Sequence, residues 1–153
     1  MKNLKQRFER IRAHTLNLVE GLSEEDCCVQ SMPDTSPTKW HLAHTSWFFE
    51  TFVLEPYAQD YRIFDPQYRV LFNSYYETVG KQYPRPKRGL ITRPSLQVIH
   101  SYRNHIEHEI LKLLDVEDLP ESLVSLIELG LHHEQQHQEL ILMDIKHLFF
   151  RIH

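Results

Sequence analysis

The sequence lacks a long apolar run: nowhere do about 18 apolar residues follow one another, as a membrane-spanning helix requires. A secretory signal would need an apolar stretch near the start, where this chain has the charged run MKNLKQRFER. From these two absences we expect neither a membrane-spanning protein nor a secreted one. We therefore predict a cytoplasmic protein that does not enter the membrane.

Cysteine and positive charge are also scarce. The chain has two cysteines, Cys27 and Cys28, and a disulfide between neighbouring residues would be strained. We expect both to be reduced thiols rather than a structural cross-link. The formal net charge of -4 provides no positive field for phosphate groups, so we expect no nucleic-acid partner.

Histidine, by contrast, is abundant, with 11 among 153 residues. Several lie in segments whose apolar residues recur every three to four positions, which is typical of amphipathic helices. Such segments cover approximately 2–22, 36–54, 93–114 and 121–149, with a proline-rich connection between the second and the third. We predict one all-α domain over residues 1–153, a four-helix bundle with a long crossover between helices 2 and 3.

Two histidines of the fourth helix, His133 and His137, are four residues apart and therefore share one helix face. They fall on the apolar stripe, as Asp144 does, and a buried imidazole needs a hydrogen bond or a metal ion. His44 falls on the aromatic stripe of the second helix, whereas His41 is expected to pack nearby or to support the site. Three neutral imidazoles can bind Zn²⁺, Fe²⁺, Ni²⁺ or Cu²⁺ and leave coordination positions open.

The segment HEQQH at residues 133–137 also matches the HExxH pattern of zinc proteases, in which the glutamate is the general base. The extended form of that pattern needs a third histidine where this chain has Met143. Another form needs a distant glutamate, which would fall past the end of the sequence. Glu134 also lies roughly 100° around the helix from His133. The three-histidine site is therefore favoured over a protease.

Five further residues are candidates for contacts with a ligand. Gln136 directly precedes the second histidine of the pair and can border the same cavity, although a surface glutamine would have the same spacing. The crossover carries Arg85, Lys87, Arg88 and Arg93 in an otherwise acidic protein. Guanidinium groups suit carboxylates, so this loop is either a solvated basic segment or a clamp for a carboxylate-bearing ligand.

Three separated segments carry a family resemblance: SPTKWHLAH at residues 36–44, YPRPKRGL at 83–90 and HEQQHQE at 133–139. In this order they resemble the N-terminal DinB-like domain of the ergothioneine-synthesis sulfoxide synthases, which are nonheme iron enzymes. The resemblance spans nearly the whole chain. It implies a DinB-like bundle and an O₂-dependent reaction that joins a cysteine-containing thiol to trimethylhistidine.

The resemblance also implies roles for individual residues. His44 of the W-x-L-A-H motif, together with His133 and His137, would hold Fe²⁺. Gln136 would contact the imidazole of trimethylhistidine.

The crossover and the domain organisation carry further implications of the same resemblance. Arg85 and Arg88 would bind a carboxylate of the sulfur donor, which is cysteine or γ-glutamylcysteine. Enzymes of that family continue into a second domain, which resembles the formylglycine-generating enzymes and supplies a catalytic tyrosine. We expect this chain to be a fragment that binds metal and does not complete the reaction alone.

Two other interpretations of the sequence stay open. One is a stand-alone DinB-like protein that uses Zn²⁺ or Ni²⁺ as a thiol transferase or hydrolase. The other is a non-catalytic helical bundle, dimeric or not, whose histidines are simply packed. Metal content separates the second from the metalloproteins, because a packed bundle would purify without an ion.

Overall fold

The computed structural model describes residues 2–74 and 76–152, and regular structure within these ranges is helical throughout. The all-α prediction is confirmed. None of the described helices combines the length and the apolarity needed to cross a membrane. In chain order the elements are α1 (Lys2–Val19), α2 (Glu24–Cys28), α3 (Thr38–Phe49), a π-helical turn (Glu50–Leu54), α4 (Glu55–Tyr57), α5 (Tyr68–Leu71), a 3₁₀ helix (Arg85–Leu90), α6 (Leu96–Leu114) and α7 (Glu121–Ile152).

Four long helices enclose the core. Helix α3 packs against α6 and α7, and α1 packs against the same two helices. The residues between α4 and α6 form the long connection, so the predicted bundle with a crossover between its second and third long helices is confirmed. Helix α3 is the central element, because all of its residues from Thr38 to Phe49 are buried.

The ends of the helices differ from the sequence-based prediction in places. The second predicted helix, 36–54, consists of α3 followed by the π-helical turn Glu50–Leu54. Helix α6 begins at Leu96 rather than near residue 93, because the Ser95 hydroxyl accepts a hydrogen bond from the Val98 amide at 3.2 Å. Within the crossover, α5 is a short helix over Tyr68–Leu71.

Helix α2 is absent from the sequence-based prediction, although a signal for it exists. The Ser23 hydroxyl accepts from the Asp26 amide at 3.0 Å, and the Asp26 carboxylate accepts from the Ser23 amide at the same distance. This reciprocal pair is a capping box that starts a helix. Cys27 and Cys28 lie at the end of α2 as free thiols, as expected.

Gly130 allows α7 to lie close against α3. A Cβ atom at this position would come within 2.5 Å of the Phe49 ring. Because glycine has no side chain, the two helices can approach here, less than one turn before His133. This contact fixes the register in which the histidines of α7 meet α3.

A buried ionic cluster ties α1 and α6 to α7. The Glu134 carboxylate accepts hydrogen bonds from Arg12 at 2.8 Å, from Arg103 at 2.9 Å and from the Thr15 hydroxyl at 2.6 Å. Burial alone would raise the pKa of Glu134, but the charges of the two arginines and these hydrogen bonds lower it to about 2. Glu134 is therefore ionised and bound at both oxygens.

Candidate metal centre

The three histidines predicted to bind a metal come together between α3 and α7. The ligand atoms of His44, His133 and His137 all lie within 4.8 Å of one another. The Nε2 atoms of His44 and His133 are 3.1 Å apart, a spacing that suits two nitrogens on one ion. One turn of α7 supplies two of these side chains and α3 supplies the third, as the spacing predicted.

His44 is held with one nitrogen available to a metal. Its Nδ1 is 2.6 Å from the Phe72 carbonyl, and because a carbonyl can only accept, Nδ1 carries the proton. Nε2 is then the unprotonated nitrogen, and it points toward His133. The ring is stacked between Trp40, at a centroid distance of 4.5 Å, and Trp47, at 5.4 Å. Hydrogen bond and stacking together fix the orientation of this ring.

The electrostatic surroundings keep the three imidazoles neutral. Burial lowers the pKa of His44 well below its usual value, and the neighbouring His133 lowers it further. Burial likewise lowers the pKa of His133 to about 4. For His137, burial acts first and the nearby His44, His41 and His133 add to it, so its pKa is also lowered. Neutral imidazoles have the free lone pairs that metal ligation requires.

His133 provides a direct test of whether the cluster fits a metal. Its ring stacks on Phe48 at a centroid distance of 4.6 Å, and its Nδ1 is buried without a hydrogen-bond partner among residues 2–74 and 76–152. A packed histidine in a finished core would have both nitrogens paired. A cluster of neutral rings whose ligand atoms lie within 4.8 Å of one another, with the Nε2 atoms of His44 and His133 at 3.1 Å, fits a bound divalent cation.

His41 lies directly behind the cluster, where the sequence placed it as a packing or supporting residue. Its ring is buried and stands between His137, at 2.9 Å, and the Asp144 carboxylate, at 2.8 Å. Asp144 falls on the buried face of α7, as predicted, and also accepts from the Ser36 amide at 3.0 Å. His41 therefore contacts the candidate centre directly, and Asp144 is linked to it through His41.

An open, mainly apolar cleft of about 360 Å³ adjoins His133. Gln136 is exposed and lines this cleft, so it does border a cavity beside the predicted ligands. The sequence contains no signal for the aromatic walls of this cleft, because aromatic residues of a helix are expected in the core and Tyr76 lies in the crossover. The cleft is lined by Phe48, Phe52, Tyr76, Leu126, Leu129, His132, His133 and Gln136.

The two candidate arginines line a second, smaller cavity of about 40 Å³, which adjoins His137 on another side. Arg88 is buried, its guanidinium carbon lies 3.5 Å from the Trp40 ring centroid, and it donates to the Ser36 hydroxyl at 2.9 Å. Arg85 is exposed and donates to the Asp34 carbonyl at 2.6 Å. Arg88 is thus part of the wall of the centre, whereas Arg85 lies at its edge.

Lys87 and Arg93 are exposed and are not among the residues that line either cavity. Glu134, which the protease pattern would use as a base, is engaged by Arg12 and Arg103 in the ionic cluster. Both of its oxygens accept hydrogen bonds from this cluster, from Arg12 at Oε1 and from Thr15 and Arg103 at Oε2. This geometry agrees with the sequence-based preference for a three-histidine site over a protease.

The fold and the site together define a class: a four-helix bundle with a largely buried, neutral three-histidine cluster that could hold a metal ion. The family model of the DinB superfamily matches residues 7–141, and the chain therefore belongs to the DinB superfamily. A search of curated proteins found no match.

Proposed function

We propose that this DinB-superfamily bundle is the iron-binding half of an O₂-dependent sulfoxide synthase that joins a cysteine-containing thiol to trimethylhistidine in ergothioneine biosynthesis. The observation that carries the proposal is the position of the histidine cluster between two different cavities. An apolar aromatic cleft lies beside His133, and a small arginine-lined cavity lies beside His137. Two unlike substrates could therefore reach one centre from two sides.

The aromatic cleft suits trimethylhistidine. Phe48, Phe52 and Tyr76 present ring surfaces, and aromatic rings attract quaternary ammonium groups through cation–π interactions. Gln136 supplies an amide that can hydrogen-bond to an imidazole. The cleft thus offers complementary chemistry for both ends of this substrate.

The smaller cavity suits the carboxylate of a sulfur donor. Arg88 and Arg85 place two guanidinium groups on its wall, near His137. The three imidazoles carry no charge, so a bound divalent cation would keep its full charge and favour an anionic ligand such as a thiolate. The arginines would orient the donor while its sulfur points to the cluster.

The residues of this chain would therefore bind and position the reactants. Fe²⁺ would supply O₂ activation and thiolate binding, held by His44, His133 and His137. We propose that a second domain, as in the enzymes that the chain resembles, contributes the catalytic tyrosine. On that view this bundle alone binds iron and substrate but does not form the sulfoxide.

Anaerobic reconstitution with Fe²⁺ followed by calorimetric titration with trimethylhistidine tests the proposal. We expect one iron per chain and saturable binding that weakens about 10-fold in Gln136→Ala, because one hydrogen bond to the ligand is lost. Gln135→Ala is the matched control, since Gln135 is an exposed glutamine that lines a different cavity. It should bind as the wild type does.

Three outcomes would contradict the proposal in whole or in part. Retention of Zn²⁺ or Ni²⁺ in place of iron, with no binding of trimethylhistidine, would favour a thiol transferase or hydrolase of the same superfamily. Absence of any metal would favour a non-catalytic bundle. Formation of sulfoxide from cysteine and trimethylhistidine by this chain alone would refute the requirement for a second domain.

A further inference from the structure

A continuous line of hydrogen bonds runs from a carboxylate through one histidine to a candidate ligand. Asp144 Oδ2 is 2.8 Å from His41 Nε2, and His41 Nδ1 is 2.9 Å from His137 Nδ1. All three side chains are at least nine-tenths buried. The line therefore lies inside the protein, where each hydrogen must have a defined position.

The position of every hydrogen follows from the carboxylate. Asp144 Oδ2 already accepts from the Ser36 amide, so this oxygen acts as an acceptor and His41 Nε2 carries the proton. The His41 ring is 3% exposed and meets its carboxylate partner through Nε2, and a neutral imidazole carries its single proton on the nitrogen that faces such an acceptor. His41 Nδ1 is therefore an acceptor, and the proton between the two rings belongs to His137 Nδ1.

The proton on Nδ1 determines the state of the other nitrogen of the His137 ring. With the proton on Nδ1, Nε2 holds the lone pair, and Nε2 is the nitrogen on the side of the ring facing away from His41. Hydrogen bonding to the outer nitrogen of a ligand histidine is a recurrent way to fix its tautomer and ring orientation. His44 is fixed in the same form by the Phe72 carbonyl, but through a single backbone contact.

We propose that Asp144 and His41 are positioning residues that hold His137 as the Nδ1–H tautomer and direct its Nε2 lone pair to the metal site. The inference rests on the proposed function only in requiring that the three histidines hold a metal. It does not depend on the identity of the metal or on sulfur chemistry.

Nitrogen-15 NMR of histidine side chains in the metal-free wild-type protein tests the tautomers without any substitution. We expect His137 to be protonated at Nδ1 and His41 at Nε2, with the His137 signals assigned as those lost in His137→Phe. A His137 ring protonated at Nε2 would overturn the proposal. This result is independent of metal binding, so it is distinguishable from failure of the proposed function.

Variants then test whether the line acts on metal affinity. His41→Phe removes the acceptor for His137, and Asp144→Leu removes the acceptor for His41. Each should raise the dissociation constant for Co²⁺, measured in competition with a chromogenic chelator, by about 10- to 100-fold. The visible spectrum of bound Co²⁺ should change in the same variants, because a freely rotating His137 alters the ligand geometry.

Asp144→Asn is the conservative variant. Its amide oxygen can take the place of Oδ2 and still accept from Ser36 and His41, so the tautomer of His137 should be kept. We expect its Co²⁺ affinity to fall by less than about 10-fold, with the wild-type spectrum. His105→Phe is the matched control, because His105 is a partly buried histidine that contacts Tyr61 and Phe64 away from the centre.

The outcomes separate positioning from a merely structural role. Wild-type affinity and spectrum in a folded His41→Phe protein would overturn the proposal. An equal loss in Asp144→Asn and Asp144→Leu, with the His137 tautomer unchanged in both, would also overturn it, since the effect would then follow the charge rather than the tautomer.

Discussion

His133 and Glu134 are neighbours on α7, the first half-buried and the second fully buried, and their surroundings are opposite in character. Glu134 has a carboxylate whose oxygens are both occupied by arginine and hydroxyl donors. His133 has a neutral ring with one buried nitrogen lacking a partner among the described residues and the other facing His44. Two polar residues in sequence thus belong to two clusters on different sides of one helix.

The difference shows how a buried polar cluster that stabilises the fold can be distinguished from one that could bind a ligand. The ionic cluster is complete in charge, because Arg12 and Arg103 face Glu134 and Glu107, and among its polar atoms only Arg103 Nε lacks a hydrogen-bond partner among the described residues. The histidine cluster is incomplete in its hydrogen bonds, because three neutral rings meet there and His133 Nδ1 has no partner among the described residues. A complete polar cluster stabilises the fold, whereas an incomplete one is suited to a ligand.

The largest expected effect comes from breaking the complete cluster. Glu134→Gln leaves two buried arginines without their shared carboxylate, so we expect the free energy of unfolding to fall by about 3–5 kcal/mol. Urea denaturation monitored by circular dichroism measures this change in the free energy of unfolding. Glu128→Gln is the control, because Glu128 pairs with Arg7 at the surface and should change stability by less than about 1 kcal/mol. Equal losses in the two variants would contradict a special role for Glu134.

Acid should act on the two clusters at different pH. The pKa of His133 is lowered from 6.5 to about 4 in the folded protein. Between these two pH values the histidine is protonated in the unfolded chain but not in the folded one. The stability of the metal-free protein should therefore decline as pH falls from about 6.5 to about 4, by up to about 3 kcal/mol from this residue. Glu134, with its pKa near 2, should contribute a separate decline from about 4.5 to about 2.

Urea titrations of metal-free protein across this pH range measure both declines. In His133→Phe the decline between pH 6.5 and 4 should be smaller, while the decline below 4.5 should remain. A free energy of unfolding that is constant between pH 6.5 and 4 in the wild type would show that the histidines are not held neutral by the fold.

A smaller effect should come from completing the histidine cluster with a metal. Fe²⁺ added anaerobically at 100 times its dissociation constant should stabilise the protein by about 2.7 kcal/mol, seen as a higher melting temperature. His133→Ala should abolish this gain. His132→Ala, an exposed neighbour, should keep it. Loss of the gain in His132→Ala as well would place the metal elsewhere.

Much of this organisation could be predicted from periodicity. The four long helices and the inward faces of His44, His133 and His137 follow from the spacing of apolar residues, since burial of one face is what makes such helices stable. Helix α2 was overlooked because five residues show no period, although the box at Ser23 and Asp26 is visible in the sequence.

Partners distant in the chain could not be predicted in the same way. Arg12 meets Glu134 across 122 residues, and His41 meets Asp144 across 103. The period of a single sequence indicates which side of a helix a residue occupies. It does not indicate which residue of another helix lies opposite. The aromatic cleft could not be predicted for a similar reason. Tyr76 lies in the crossover, where no helical period indicates the position of a side chain.

The stacking of His44 between Trp40 and Trp47 has an optical consequence. These are the two tryptophans of the chain, and both rings lie within 5.4 Å of one candidate ligand. A paramagnetic ion bound to that imidazole would quench their fluorescence at close range. The intrinsic emission of the protein is thus a built-in reporter of occupancy, by which loading and release of the centre could be followed in real time without any label.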